Sequence, residues 1–208
     1  MRAGVLVGVA LAAALPGSAA AQTFEFHLEA VGLTYQEVRE GRDAVGKGGG
    51  AGIVLRVKRF GLDVRGYTAE VEPDSGGAGY DFRQIDVRLS YRFSKFLALE
   101  VGGGRRYVTP EFATQEVGVL RIGVLSENDL TQLAKVWVRG AYLANPQFSG
   151  GGTGDVAFEF GLGVALGAAN GRFRVRVEYE FQRIDREVGA ASVPLQLSLA
   201  RAGIAFGF

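Results

Sequence analysis

Apolar and polar residues alternate along much of the chain with a period of two, the repeat that a β-strand imposes on its side chains. The clearest example is the segment 172–182, in which each apolar residue is flanked by charged or polar ones. Less extended versions occupy the segments 24–30, 85–93 and 156–166. This pattern predicts an all-β protein whose strands have one apolar face and one face of polar or small residues.

Alternation of this kind occurs both in soluble β-sandwiches and in transmembrane β-barrels, so it does not choose between them. The aromatic residues favour the barrel, because they fall in two groups near opposite ends of the strands. Transmembrane barrels have such groups at the two membrane–water interfaces, where aromatic side chains are enriched. One group comprises Phe24, Phe60, Tyr91, Phe93, Phe96, Phe173, Phe206 and Phe208. The other comprises Tyr35, Tyr67, Tyr80, Phe82, Tyr107, Phe112, Tyr142, Phe158, Tyr179 and Phe181. We therefore expect apolar residues to face lipid and polar residues to face the barrel interior.

The connections between the predicted strands alternate between short and long. Short connections are expected at 59–61, 94–96, 126–129 and 168–171, and long or glycine-rich ones at 36–50, 72–79, 108–112, 144–154 and 185–192. They join ten strands into a closed, antiparallel up-and-down barrel with both chain ends on the side of the short turns. Eight strands is the alternative, because the alternation is irregular over 117–143.

The apolar parity changes by one residue in two predicted strands. The change falls between Ala30 and Val31 in the first strand, and between Leu199 and Ala202 in the last. Because a shift of one residue turns every following side chain to the opposite face, each change predicts a β-bulge or a strand end.

The N-terminal residues 1–21 have the features of a secretory signal peptide. Arg2 precedes an apolar stretch that ends near Leu15, and the small residues 19–21 suit cleavage before Gln22. Residues 22–208 are then a single barrel domain.

The chain has 23 basic and 22 acidic residues and no cysteine. The charges are therefore nearly balanced, and the composition does not indicate nucleic-acid binding. Without cysteine, no disulfide framework is possible.

The C-terminal segment 201–208 places a polar residue, a glycine and two aromatic residues in a spaced pattern, Arg201, Gly203, Phe206 and Phe208. With the predicted barrel, this segment resembles small bacterial outer-membrane β-barrel proteins of the OmpA-like or porin-family type. The resemblance implies export to the outer membrane of a Gram-negative cell, where membrane lipid and lipopolysaccharide surround the protein. It also implies that these four residues form the signal that the barrel-assembly machinery recognises.

Charged residues predicted to face the interior form the candidate site. The residues assigned to this lumen charge network are Glu25, His27, Glu29, Arg56, Arg88, Arg174, Arg176, Glu178 and Glu180. Long arginine and glutamate side chains in a narrow interior are expected to pair, since unpaired buried charges are costly. A charge-filled interior predicts a structural or surface-interaction role. The alternative is a narrow passive channel for ions or small polar solutes.

Catalytic chemistry is not predicted. His27 is the single histidine, it lies near the start of the first strand between Glu25 and Glu29, and no serine is placed by sequence to pair with it. A hydrogen bond to a carboxylate inside the barrel is the favoured interpretation of this side chain. One histidine without cysteine is also a poor ligand set for a transition metal. We therefore assign no catalytic residue, no cofactor and no metal site.

Overall fold

The computed structural model describes residues 24–39, 42–74, 76–109, 116–167, 172–188 and 191–207. They form ten strands: β1 (Phe24–Arg39), β2 (Arg42–Val57), β3 (Phe60–Pro73), β4 (Tyr80–Arg92), β5 (Leu97–Thr109), β6 (Val117–Thr131), β7 (Ala134–Phe148), β8 (Thr153–Leu166), β9 (Phe173–Val188) and β10 (Ala191–Gly207). The predicted all-β class and the count of ten strands are both confirmed, and the alternative of eight strands is wrong. The predicted signal peptide, residues 1–21, lies outside the described residues.

The strands form one closed antiparallel barrel. Each strand pairs with its neighbours in sequence, and β1 pairs with β10 to complete the ring. Closure gives every strand two partners, so no edge is left with unpaired backbone groups.

No helix among the described residues is both long enough and apolar enough to cross a membrane.

The barrel has two distinct ends. We call the end at which β1 begins and β10 ends the turn end, and the opposite end the loop end. Several of the predicted connections are largely strand. Most of the predicted loop 36–50 is strand, since β1 continues to Arg39 and β2 begins at Arg42. The predicted turn 126–129 is also strand, because β6 extends to Thr131 and β7 begins at Ala134.

Glycine on the inner face of β2 explains the first of these errors. Residues 46, 48, 50 and 52 are all glycine and share the face on which Ala44 and Val54 are buried. A Cβ atom on Gly50 would lie 2.6 Å from Cδ1 of Tyr67, and one on Gly52 would lie 2.9 Å from Cγ of Arg65. The glycines therefore leave space for large side chains of the neighbouring strand, and they do not mark a flexible loop.

The outer wall is apolar, as the surface of a transmembrane barrel must be. Outward-facing side chains such as Ile85, Leu89, Ile122 and Leu162 are exposed. The aromatic group at the turn end is confirmed where it is described, by exposed Phe60, Tyr91, Phe93, Phe96, Phe173 and Phe206. The side chain of Phe24, and Phe112 and Phe208, lie outside the described residues.

The aromatic group predicted at the loop end is wrong for four of its members. Tyr35, Tyr67, Tyr80 and Phe82 are buried inside the barrel. Alternation shows which face of a strand a residue occupies, but it does not show which face is turned to lipid. These four residues share the inward face of their strands with charged residues such as Glu37 and Arg65.

The predicted bulges in the first and last strands are also wrong. The β1–β10 ladder runs from the pair His27–Gly207 to the pair Arg39–Leu195 without a register shift. The apolar parity changes because the interior itself changes from charged to apolar along these strands. Register shifts occur instead in the β6–β7 ladder, between Gly118 and Leu120 and between Asp129 and Thr131, and in the β8–β9 ladder.

Candidate functional site: the ionic belt and the apolar layer

A belt of charged side chains crosses the middle of the barrel interior. We call it the ionic belt and define it by the buried residues Glu29, Arg65, Asp86, Arg88, Glu100, Arg121, Arg139, Glu159, Glu178, Glu180 and Arg201. They lie on nine strands, all except β2, near the strand midpoints and on inward positions that alternate with lipid-facing ones. The period of two therefore brings residues that are far apart in sequence into one layer.

Arg201 of β10 holds the centre of the ionic belt. Its Nη2 lies 2.8 Å from Oε2 of Glu180 and 3.1 Å from Oε1 of Glu178. Its Nη1 donates a hydrogen bond of 2.7 Å to the hydroxyl of Tyr67, and its guanidinium carbon lies 4.9 Å from the centroid of that ring. One arginine thus joins two carboxylates of β9 to an aromatic residue of β3.

Arg88 and Arg121 extend the belt towards β8. Nη2 of Arg88 donates to Glu159 and to Glu180, at 2.9 Å in each case. Arg121 donates from Nε to the other oxygen of Glu159 at 2.6 Å, and its Nη1 lies 2.8 Å from Oδ1 of Asp86. Glu159 and Glu180 are each shared by two arginines, and Asp86 is shared by Arg121 and the amide of Gln84, so these residues form one connected network.

Glu178 connects the belt to the turn-end side. It accepts from Nη1 of Arg65 at 2.7 Å and lies 3.4 Å from Nη1 of Arg139. Arg139 also approaches Glu100, with 3.4 Å between Nε and Oε2. Arg65 reaches Glu29 at 3.6 Å, and Glu29 pairs in addition with Arg176. Buried charges need this many partners, because each one would be costly alone.

The predicted network residues fall in two places. Glu29, Arg88, Glu178 and Glu180 belong to the ionic belt. Nearer the turn end, Arg176 lies over the ring of Trp137, 4.6 Å from its centroid. The remaining ones are half-buried at the turn end, and each takes part in an interaction there: Arg56, His27 and Arg174. The side chain of Glu25 lies outside the described residues.

The turn-end mouth is built around Glu127. Nη2 of Arg56 donates to Oε1 of Glu127 at 2.5 Å, and Arg92 pairs with the second oxygen of the same carboxylate. A cavity of about 120 Å³ beside this cluster is lined in part by Arg56, Arg92 and Ser90. The turn-end mouth is therefore charged and contains open space, in contrast to the packed interior towards the loop end.

The loop-end half of the interior is packed with apolar side chains, which the sequence interpretation missed. We call this the apolar layer and define it by Leu33, Tyr35, Ala44, Tyr67, Ala69, Val71, Tyr80, Phe82, Val108, Val117, Val119, Leu143, Phe148, Ala157, Ile184, Leu195, Leu197 and Leu199. Phe82, Leu143 and Ile184 are fully buried in it. The change of parity within β1 and β10 was the available signal for this layer.

A small polar cluster is embedded in the apolar layer. The hydroxyls of Tyr35 and Tyr80 donate to the same carboxylate oxygen of Glu37, at 2.6 and 3.0 Å. Nη1 of Arg106 donates to the Tyr35 hydroxyl at 3.0 Å. The buried carboxylate of Glu37 thus accepts hydrogen bonds from two tyrosine hydroxyls, and Nη1 of Arg106 lies 4.0 Å from it.

The ionic belt and the apolar layer leave little space between them. One cavity beside Arg65, Glu178 and Arg201 measures about 10 Å³. Another, beside Gln84 and Arg121, has the same volume. A cavity of this size holds about one water molecule. Both are voids in a packed interior and neither is a passage.

The described residues include no group of three or more histidine, cysteine, aspartate or glutamate side chains that could hold a metal ion.

A closed transmembrane barrel with an apolar outer wall and an ion-paired interior defines a small outer-membrane β-barrel protein. The fold is similar to that of the outer membrane protease OmpT from Escherichia coli, with a TM-score of 0.50, 11% sequence identity, and coverage of 91% of this chain and 99% of that chain. At this identity the likeness shows the fold alone.

Two other solved barrels match with lower scores. Neisserial surface protein A matches with a TM-score of 0.44 and 11% identity, over 88% of this chain and 97% of that chain. An outer membrane channel from Pseudomonas putida F1 matches with a TM-score of 0.47 and 8% identity, over 94% of this chain and 100% of that chain. No protein-family model matches the chain, and no curated protein matches it in sequence.

Proposed function

We propose that this protein is a closed outer-membrane barrel with a structural and surface-interaction role, in which the loops at the loop end face the outside of the cell. The observation that carries the proposal is the filled interior. The ionic belt and the apolar layer lie one above the other, so a solute would have to displace both.

The energy needed to open the ionic belt supports a closed barrel. Removing one partner from a buried ion pair typically costs about 3–5 kcal/mol. A passage through the belt would separate several such pairs, among them Arg201–Glu180 and Arg88–Glu159. The apolar layer opposes conduction for a second reason, because a packed apolar region of this kind holds neither ions nor a continuous column of water.

The same geometry gives no support to an enzymatic role. The single histidine, His27, is half-buried near the turn end and far along the barrel from the loop end. The most deeply buried carboxylates, such as Glu180 and Asp86, are held in ion pairs or hydrogen bonds and do not face an open cleft. We therefore propose that the protein is not an enzyme.

Recognition of the last strand by the barrel-assembly machinery is part of the proposal. Phe206 packs on Phe173 of the neighbouring strand with ring centroids 4.9 Å apart, on the outer wall at the turn end. Gly203 and Arg201 face inward from the same strand, while Phe208 lies outside the described residues. The outward side chain of Phe206 in β10 therefore lies where a partner in the membrane could contact it.

The conductance of refolded protein tests whether the barrel is closed. Purified protein is inserted into a planar lipid bilayer, and its folding is checked beforehand by heat-modifiable mobility in gel electrophoresis. We expect no discrete current steps from the folded protein. A large porin reconstituted under the same conditions controls for detection. Reproducible unitary steps from the folded protein would overturn the closed-barrel proposal in favour of the narrow channel.

Epitope insertion tests which end faces outward. One variant carries an epitope between Gly76 and Gly77, in the exposed loop between β3 and β4. The matched variant carries it between Ser94 and Lys95, in the turn between β4 and β5. We expect antibody to bind intact cells only in the first case, and both variants after permeabilisation. The reverse result would show that the loop end faces the periplasm.

A further inference from the structure

Three basic residues on the outer wall stand at the border between its apolar surface and the loop end. We call Lys47, Arg83 and Arg105 the basic border. All three side chains are exposed and point away from the interior, on β2, β4 and β5. Arg105 is directly opposite the lipid-facing Ile85, and Arg83 lies two residues from Ile85 on the same strand. The charges are therefore in contact with the edge of the lipid-facing surface.

The basic border is not neutralised within the described part of the chain. Among those residues, no carboxylate oxygen lies within 4.0 Å of the side-chain nitrogens of Lys47, Arg83 or Arg105. The outward carboxylates nearest in the strand pattern are Glu70, directly opposite Lys47, and Asp81, two residues from Arg83, and both lie on the loop-end side of Arg83. Cations next to lipid are costly unless an anion meets them there.

A recess in the outer wall adjoins Arg83. It has a volume of about 630 Å³ and is lined by Arg83, Gly49, Gly66, Ile85, Tyr107 and Glu116, among others. A Cβ atom built on Gly66 would meet nothing within 4 Å. The wall is therefore bare backbone at this point, and a bound molecule can approach it more closely than elsewhere.

Tyr107 orders the basic side of the recess. It is directly opposite Arg83 in the β4–β5 ladder, and the guanidinium carbon of Arg105 lies 5.2 Å from the centroid of its ring. Stacking of this kind restrains an arginine while leaving its N–H groups free to bind an anion. Arginine forks match the geometry of phosphate oxygens.

We propose that the basic border and the recess bind a phosphorylated lipid of the outer leaflet. Its phosphate lies between Arg83 and Arg105, and an acyl chain lies against Gly49, Gly66 and Ile85. Lys47 adds attraction at long range. The inference rests on the proposed orientation, because the loop end must face the leaflet that holds this lipid. Glu70 and Asp81 on the loop-end side of Arg83 disfavour an anion placed further from the membrane, so the phosphate is held at the lipid border.

Lipid binding to refolded protein in detergent tests the proposal. Native mass spectrometry measures the affinity for bisphosphorylated lipid A in the wild type and in the double variant Arg83→Gln/Arg105→Gln. Because each cation near a lipid phosphate contributes about 1 kcal/mol, we expect the double variant to bind about thirtyfold more weakly. The matched control is Arg183→Gln, which removes a partly exposed outward arginine of β9 whose Nε lies 2.9 Å from Asp185. It should change the affinity less than about twofold, since its charge is already paired.

Two further arms separate the possible sources of binding. Lipid A without phosphate should bind to the wild type as weakly as the phosphorylated lipid binds to the double variant. Inorganic phosphate at the same concentration should not displace the lipid. Equal affinity in the wild type and the double variant would overturn the site, and displacement by inorganic phosphate would overturn its assignment to a lipid. Both measurements are independent of the conductance and epitope tests, so the closed barrel can stand if the lipid site fails.

Discussion

The ionic belt and the apolar layer occupy the same interior and are stabilised in different ways. In the belt, each arginine depends on particular carboxylates, as Arg201 depends on Glu178 and Glu180. In the layer, side chains such as Leu143 and Phe82 gain from burial with any well-fitting neighbour. The comparison shows that a small membrane barrel can close its interior both with a salt-bridge network and with an apolar core like that of a soluble protein.

The belt should tolerate single substitutions less well than the layer. Glu180→Ala removes the buried carboxylate that Arg88 and Arg201 share, so we expect a loss of about 3–5 kcal/mol in the free energy of unfolding. The measurement is urea unfolding of protein refolded into lipid vesicles, followed by the fluorescence of Trp137, the single tryptophan.

A balanced variant separates lost charge from lost packing. Arg88→Met/Glu180→Leu removes one charge of each sign and leaves Arg201 with Glu178 and Glu159 with Arg121. Replacing a complete buried pair with apolar residues of similar size is often neutral, so this variant should regain most of the stability lost in Glu180→Ala. If the two variants are equally unstable, packing and not charge balance governs the belt.

Truncation in the apolar layer should have the next largest effect. Leu143→Ala removes a fully buried side chain and leaves a cavity, which typically costs about 2–5 kcal/mol. Leu143→Met preserves the volume and should cost less than about 1.5 kcal/mol. The same unfolding assay measures both. A negligible effect of Leu143→Ala would mean that the layer collapses around the missing side chain.

Crowding of the belt should have a smaller effect. A Cβ atom on Gly104 would clash with the carboxylate of Asp86 and the guanidinium of Arg121. We expect Gly104→Ala to cost about 1–3 kcal/mol in the unfolding assay. The matched control is Gly140→Ala on the outer wall, where the added Cβ would meet nothing within 4 Å. Equal stability of the two variants would show that the Asp86–Arg121 pair can move aside.

The smallest effect is expected outside the barrel interior. Asp129 lies 3.7 Å from Nζ of Lys135, but 74% of its side chain is exposed. Solvent screens such a pair, so Asp129→Asn should change the unfolding free energy by less than about 0.5 kcal/mol. A loss close to that of Glu180→Ala would contradict the view that burial makes the belt sensitive.

Much of the fold was predictable from sequence, because the alternation of apolar and polar residues with a period of two directly indicates β-strands. Segments such as 172–182 show it without error, and the ladder of β9 follows it. The exchange of charged for apolar residues on the inward face could not be predicted in this way. A pattern that only separates apolar from polar residues cannot distinguish a leucine that faces lipid, such as Leu89, from one that faces the interior, such as Leu197.

The candidate site was predictable only in part for a related reason. Glu178 and Glu180 were predicted because they alternate with apolar residues in a regular strand. Arg201 was assigned to a C-terminal assembly signal, yet in the structure it is the residue that joins those two carboxylates. Which inward residues meet across the barrel depends on the tilt and register of distant strands, and the local pattern carries no information on either.

The glycine-lined inner face of β2 has a consequence for how the barrel assembles. Sliding β2 by two residues against its neighbours would place glycine on glycine at most inward positions, so this strand has little preference of its own for one alignment. The register of β2 is instead determined by Tyr67 and Arg65 of β3, whose side chains occupy the space next to the glycines. The correct pairing of β2 therefore becomes secure only when β3 has folded against it, and a mispaired first hairpin is the misfolded form that this chain has to avoid.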